Sequence, residues 1–70
     1  MRIAKALKDL PVGTPIEICG LRVYKGLVIK LSYCHENEED YVEILFADGR
    51  PMTYYEEDLE EEQIMIVEDI

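Results

Sequence analysis

The chain is 70 residues long with a formal net charge of −9. That length makes one small domain, which buries only about 60% of the surface its unfolded chain exposes. It contains no run of about 20 apolar residues that could cross a membrane, and its start lacks the apolar stretch of a signal peptide, so a cytoplasmic location is expected.

The charge is unevenly placed. Residues 1–30 carry six basic and two acidic side chains, a net +4, while residues 31–70 carry one basic and fourteen acidic, a net −13. A surface this acidic repels phosphate backbones, which disfavours nucleic acid as a partner and favours a basic protein surface or peptide. Cys19 and Cys34 are too few for a disulfide framework and are expected as free thiols.

Residues 1–10 predict a short N-terminal helix, because Ile3, Leu7 and Leu10 recur at helical spacing and Arg2, Lys5, Lys8 and Asp9 fall on the other side. Pro11 stops it, and Val12 to Pro15 forms a turn. A helix this short must pack on the rest of the domain to persist. Residues 15–19 form a first strand, with Ile16 and Ile18 inward. The segment 20–26, GLRVYKG, reads as a loop bracketed by glycines. Leu27, Ile29 and Leu31 alternate with Val28, Lys30 and Ser32 in a second, longer strand. Residues 34–40, CHENEED, form a polar connection.

Residues 41–59 organise the rest. Val42, Ile44 and Phe46 alternate with Tyr41, Glu43 and Leu45, the period of a half-buried strand. Asp48-Gly49 predicts a two-residue hairpin turn with positive φ at both positions. A strand resumes after it, with Pro51 at its start because proline cannot donate to a ladder. The acidic residues Glu56, Glu57 and Asp58 then carry the chain out of the sheet into a helical turn, and Leu59 plugs one end of the core. Glu60 to Glu62 is a solvated acidic run. The last strand runs from Gln63 to Val67 and is apolar on both faces. Its outer residues, Met65 and Val67, would be covered by the N-terminal helix, or would join two copies in a homodimer.

The expected fold is therefore all-β, with five short strands, an N-terminal helix and a helical turn before the last strand. This order resembles the SH3-like small-barrel superfamily, including its Tudor and KOW groups. IEICGLRVYKGLVIKL (16–31) looks like the KOW pattern of a strand, a loop ending in aromatic–basic–glycine at Tyr24-Lys25-Gly26, then a second strand. VEILFADGRPMTYYEEDLE looks like the superfamily's hairpin and acidic helical turn. KOW domains usually carry a further glycine where this chain has Ile29. The resemblance implies one five-stranded barrel over residues 15–67 within a 1–70 domain. It also implies binding to peptides, nucleic acids or protein subunits, among which fold alone does not choose.

For chemistry, Cys19, Cys34 and His35 match no zinc spacing, and no metal or other cofactor is expected. The carboxylates cluster in solvated runs, where nothing separates their acidities for catalysis, and no glycine-rich phosphate loop is present. An enzyme is not expected. The aromatic residues are the best lead. Tyr24, Tyr54 and Tyr55, with Glu56, Glu57 and Asp58, predict a tyrosine-lined acidic groove between the 20–26 loop, the 33–41 loop and the 54–62 turn. Such a groove would hold a lysine or arginine side chain. A sharper variant is a phage or mobile-element inhibitor that imitates nucleic-acid charge in the channel of a basic enzyme. The alternative is a KOW-like nucleic-acid-associated domain that gathers Arg2, Lys5, Lys8, Arg22, Lys25 and Lys30 on one basic face.

Overall fold

The fold was obtained as a computed structural model and is described over residues 2–68; Met1 and the last two residues of the expected 1–70 domain lie outside the described residues. Six strands form one antiparallel sheet: β1 (Arg2–Ile3), β2 (Pro15–Cys19), β3 (Val23–Cys34), β4 (Glu39–Phe46), β5 (Pro51–Tyr55) and β6 (Ile64–Ile66). A single helical turn, α1 (Asp58–Glu61), precedes β6. The spatial order is β1-β6-β2-β3-β4-β5. Hydrogen bonding does not close this sheet: β1 and β5 are its two edges.

The mainly-β class agrees with the alternation read above, but the N-terminal helix is corrected. Arg2 and Ile3 pair with Ile66 and Met65 as β1, which raises the strand number from five to six. Only Leu7–Asp9 is helical, as one 3-10 turn. Two interactions, one long-range and one local, outweigh the helical spacing. The free edge of β6 supplies carbonyls, so that the Ala4 amide donates to the Ile64 carbonyl at 2.8 Å. The Asp9 carboxylate folds back to accept from the amides of Lys5 at 3.1 Å and Ala6 at 3.2 Å, contacts that hold its pKa below the ordinary carboxylate range. A nine-residue helix has little to set against these.

β3 holds the sheet together. Its first part, Val23–Leu27, pairs with β2, and Gly26–Cys34 pairs with β4, so one strand belongs to both halves. The register slips between Val28 and Lys30, leaving Ile29 without a partner. This bulge reverses the alternation. Val28 is fully buried opposite Ile44, whereas Leu27 faces the outer side opposite Leu45. Leu27, Ile29 and Leu31, which read as one apolar face, are thereby split, and all three are exposed.

The expected loops are shorter than the composition suggests. Val23 to Gly26 are strand, so only Gly20 to Arg22 connect β2 and β3. The β3–β4 ladder runs out to Cys34 opposite Glu39, leaving residues 35–38 as a four-residue turn closed by Glu38 at φ 53°. The Asp48-Gly49 turn forms differently from the expected one. Gly49 has φ 91°, but Asp48 does not share the positive φ. Gly49 donates to the Phe46 carbonyl at 2.9 Å and Phe46 donates to Arg50 at 3.0 Å, a three-residue loop in which a glycine takes the left-handed position.

The core is one cluster between the inner face of the sheet and the N-terminal segment. Ile16, Val28, Val42, Ile44, Ile64 and Ile66 come from the strands, and Ala4, Leu7, Leu10 and Leu59 pack onto them. Leu59 is buried, as its position after three acids required. The Leu7 amide donates to Glu56 Oε2 at 3.3 Å, which ties the N-terminal turn to the chain entering α1.

Candidate functional site

Strand alternation decides which aromatic residues meet. Tyr54 lies opposite Val42 on the core side of β5, and Tyr55 lies opposite Tyr41 on the outer side. The two neighbours in sequence therefore serve different faces. Tyr24 pairs with Ile18 on the core side of the β2–β3 ladder. Past the end of the tightly packed core, these inner-facing positions leave an open groove of about 210 Å³. Ile18, Tyr24, Phe46, Met52 and Tyr54 form its walls, with Arg50 and Glu62 at its rim.

The floor is apolar and aromatic. Tyr24 meets Phe46 edge-to-face, with ring centroids 6.4 Å apart and planes at 78°, the arrangement that the ring quadrupoles favour. Tyr24 is 43% exposed, so much of its ring is available to a ligand. Tyr54 is buried. Its phenol is pushed up to about 12, first by burial and then by the Glu62 and Asp58 carboxylates, which disfavour a second negative charge. It stays neutral across the physiological range.

The rim is asymmetric. Arg50 is neutralised locally: its Nε lies 2.7 Å from Asp48 Oδ2 and its amide donates to Asp48 Oδ1 at 3.0 Å. On the other side the groove continues past Cys19 and Gly20 along Glu61, Glu62 and Gln63. Among the described residues neither glutamate is in an ion pair. The groove thus offers an aromatic floor with unneutralised carboxylates along one wall.

The expected site residues divide accordingly. Tyr24 and Tyr54 come together. Tyr55 does not join them: it packs on Tyr41 at 6.1 Å and its hydroxyl accepts from Asn37 Nδ2 at 3.2 Å. Glu56 and Asp58 are occupied by the backbone, Glu56 with the Leu7 amide and Asp58 with the Tyr55 amide at 2.8 Å. Glu57 is exposed at the start of α1 and lines none of this groove. The acids at the groove are instead Glu61 and Glu62. Phe46, Ile18 and Met52 also line the groove, beyond the expected residues. Their signal was period two: Met52 shares a face with Tyr54, and Ile18 with Ile16.

The basic residues are dispersed. Arg2 on β1 pairs with Glu68 at 2.6 Å and approaches Asp9 at 4.0 Å. Lys25 on β3 sits 3.9 Å from Glu17, and Lys30 lies over the Tyr41 ring at 5.8 Å. Arg22 is exposed in the β2–β3 connection, while Lys5 and Lys8 are exposed on the N-terminal segment. β6 is flanked on both edges by β1 and β2, so it has no free edge with which to pair a second chain. Cys19 faces Val23 at the first residue of β3 and Cys34 is its last, so the strand's length separates them and His35 accompanies only Cys34. Among the described residues no three metal-binding side chains cluster, and no helix is long and apolar enough to cross a membrane.

Compared with known protein families, curated proteins and solved structures, the chain shows no significant match to any of them.

Proposed function

We propose that the protein is a non-enzymatic interaction module that receives a basic segment of another protein in the groove between Tyr24, Tyr54 and Glu62. The observation that carries this reading is the pairing of an exposed aromatic floor with two carboxylates on one wall that, among the described residues, make no ion pair. A lysine or arginine side chain would lie over the Tyr24 ring with its charge toward Glu61 and Glu62. A neighbouring apolar residue would fill the hollow between Phe46 and Met52. Cation–π attraction and charge steering both reward that ligand.

The strand order supports an SH3-like barrel as the fold type behind this use. Setting β1 aside, β6 returns beside β2 after a helical turn and the remaining strands follow as a meander. The inhibitor variant, in which the acidic surface stands in for nucleic acid before a basic enzyme, draws on the same charge. The KOW-like alternative is weaker, since its six basic residues are spread over β1, the N-terminal segment, the β2–β3 connection and β3, and two of them are already paired with acids.

The test is a display screen of random peptides followed by an NMR titration with the strongest binder. Enriched peptides should carry Lys or Arg next to an aliphatic or aromatic residue, and should shift the resonances of Tyr24, Phe46 and Glu62. Enrichment of acidic peptides, or shifts confined to other faces, would overturn the reading.

A further inference from the structure

The outer face of the sheet carries an apolar row that no part of the described chain covers. Pro15, Leu27, Leu45 and Pro51 stand directly opposite one another across β2, β3, β4 and β5. Leu27 is 44% exposed and Leu45 40%, and both prolines are exposed. The N-terminal segment, expected to cover an outer face, instead extends the sheet as β1.

The row reads proline, leucine, leucine, proline, and so is the same in both directions. Consider a two-fold axis lying in the interface, parallel to the strands and between β3 and β4. It places Leu27 against Leu45 of a second copy, Leu45 against Leu27, and Pro15 against Pro51. The outer pair on the next rungs is Lys30 opposite Glu43. The same axis sets Lys30 of one copy against Glu43 of the other, twice. A two-fold interface requires such reciprocity, residue i meeting j and j meeting i. Two sheets packed this way keep their strands nearly aligned, as stacked sheets do. We propose that this outer face is a self-association surface, through which two copies of the chain form a face-to-face dimer. The groove faces the other side of the sheet and plays no part in it.

A row of four residues is a small interface, at the weak end of specific contacts, and the expected dissociation constant lies between the millimolar and micromolar marks, on the order of 100 μM. Its salt dependence has a definite sign. Each copy carries −9, a repulsion spread over distances that salt screens, while the two Lys30–Glu43 pairs sit at contact and are screened less, so salt strengthens the dimer. Capture of a basic peptide by the groove has the opposite sign and weakens with salt, which keeps the two surfaces distinguishable.

Sedimentation equilibrium on the intact chain, over a range of concentrations at low and moderate salt, is the test. A monomer–dimer equilibrium that tightens with salt is expected. The double variant Leu27→Lys/Leu45→Lys should stay monomeric with an unchanged circular dichroism spectrum. If it does not fold, Leu45→Ser should weaken the dimer about tenfold, by removing two leucines from the shared interface. Lys30→Glu should weaken it, and adding Glu43→Lys in the same chain should restore it. A wild-type chain that is monomeric up to about ten times the expected dissociation constant would overturn the proposal and leave the row to a different protein. A dimer that survives the leucine substitutions would also overturn it.

Discussion

Gly26 and Ile44 approach so closely that a Cβ on the glycine would fall 2.7 Å from Ile44 Cγ2. Phe46 Cδ1 at 3.1 Å and the Leu45 carbonyl at 3.2 Å close the remaining space. Gly26 is also where β3 is shared between its two partners, pairing with Ile16 on one side and Phe46 on the other. The missing side chain lets β3 lie directly against Ile44 and Phe46 on the inner face. Gly26→Ala should therefore cost about 1–3 kcal/mol through overpacking, a fall of about 4–8 °C in Tm for each kcal/mol in a domain this small. Thermal unfolding followed by circular dichroism reads it, and an unchanged Tm would mean that β3 does not need this close approach.

Glu56 separates a structural role from a binding one. Its carboxylate accepts from the Leu7 amide and fastens the N-terminal turn. Glu56→Ala should lower stability by about 1 kcal/mol and leave the affinity for a basic peptide as it was. Denaturant unfolding and a peptide titration on the same variant give both numbers. A large loss of affinity without loss of stability would return Glu56 to the binding surface.

Glu61 and Glu62 should behave in the opposite way. Replacing both with glutamine should weaken a basic peptide between about twofold and thirtyfold, at about 0.2–1 kcal/mol for each exposed carboxylate. The salt dependence of binding should flatten in parallel. Tyr24→Ala should weaken the same peptide independently of salt, since its contribution is contact with the ring.

Tyr54 links the groove to alkaline stability. Its folded pKa of about 12 lies above the ordinary 10.0. The folded chain therefore holds that proton more tightly than the unfolded chain. The resulting stabilisation is fully present below pH 10 and is lost as pH rises towards 12. A plot of unfolding free energy against pH should fall across that window, and Tyr54→Phe should remove that part of the fall. A tyrosinate absorbance step near pH 12 should disappear in the same variant.

How much of this could be read before the fold was known follows from the range of each interaction. The alternation of Val42, Ile44 and Phe46, the proline at the head of β5, the α1 turn and the burial of Leu59 are local patterns, and they were legible. They hold because side chains on a strand must alternate and three successive acids cannot enter a core. The groove was legible in part. Composition and position point to Tyr24 and Tyr54, but they point equally to Tyr55, which alternation sends to the outer face.

The remainder depended on partners distant in the chain. Arg2 and Ile3 became a strand because β6, more than sixty residues away, offered a free edge. The bulge at Ile29 divided an apolar repeat that looked continuous, since a register slip is set by the neighbouring strand. It also left Leu27 opposite Leu45 on the outer face. The amino-acid sequence by itself determined a small, acidic, mainly-β domain rich in tyrosine. Only the tertiary structure decided which acids face the groove and which hold the backbone. Both kinds are glutamate or aspartate in one short run, and what distinguishes them is the amide that each one meets.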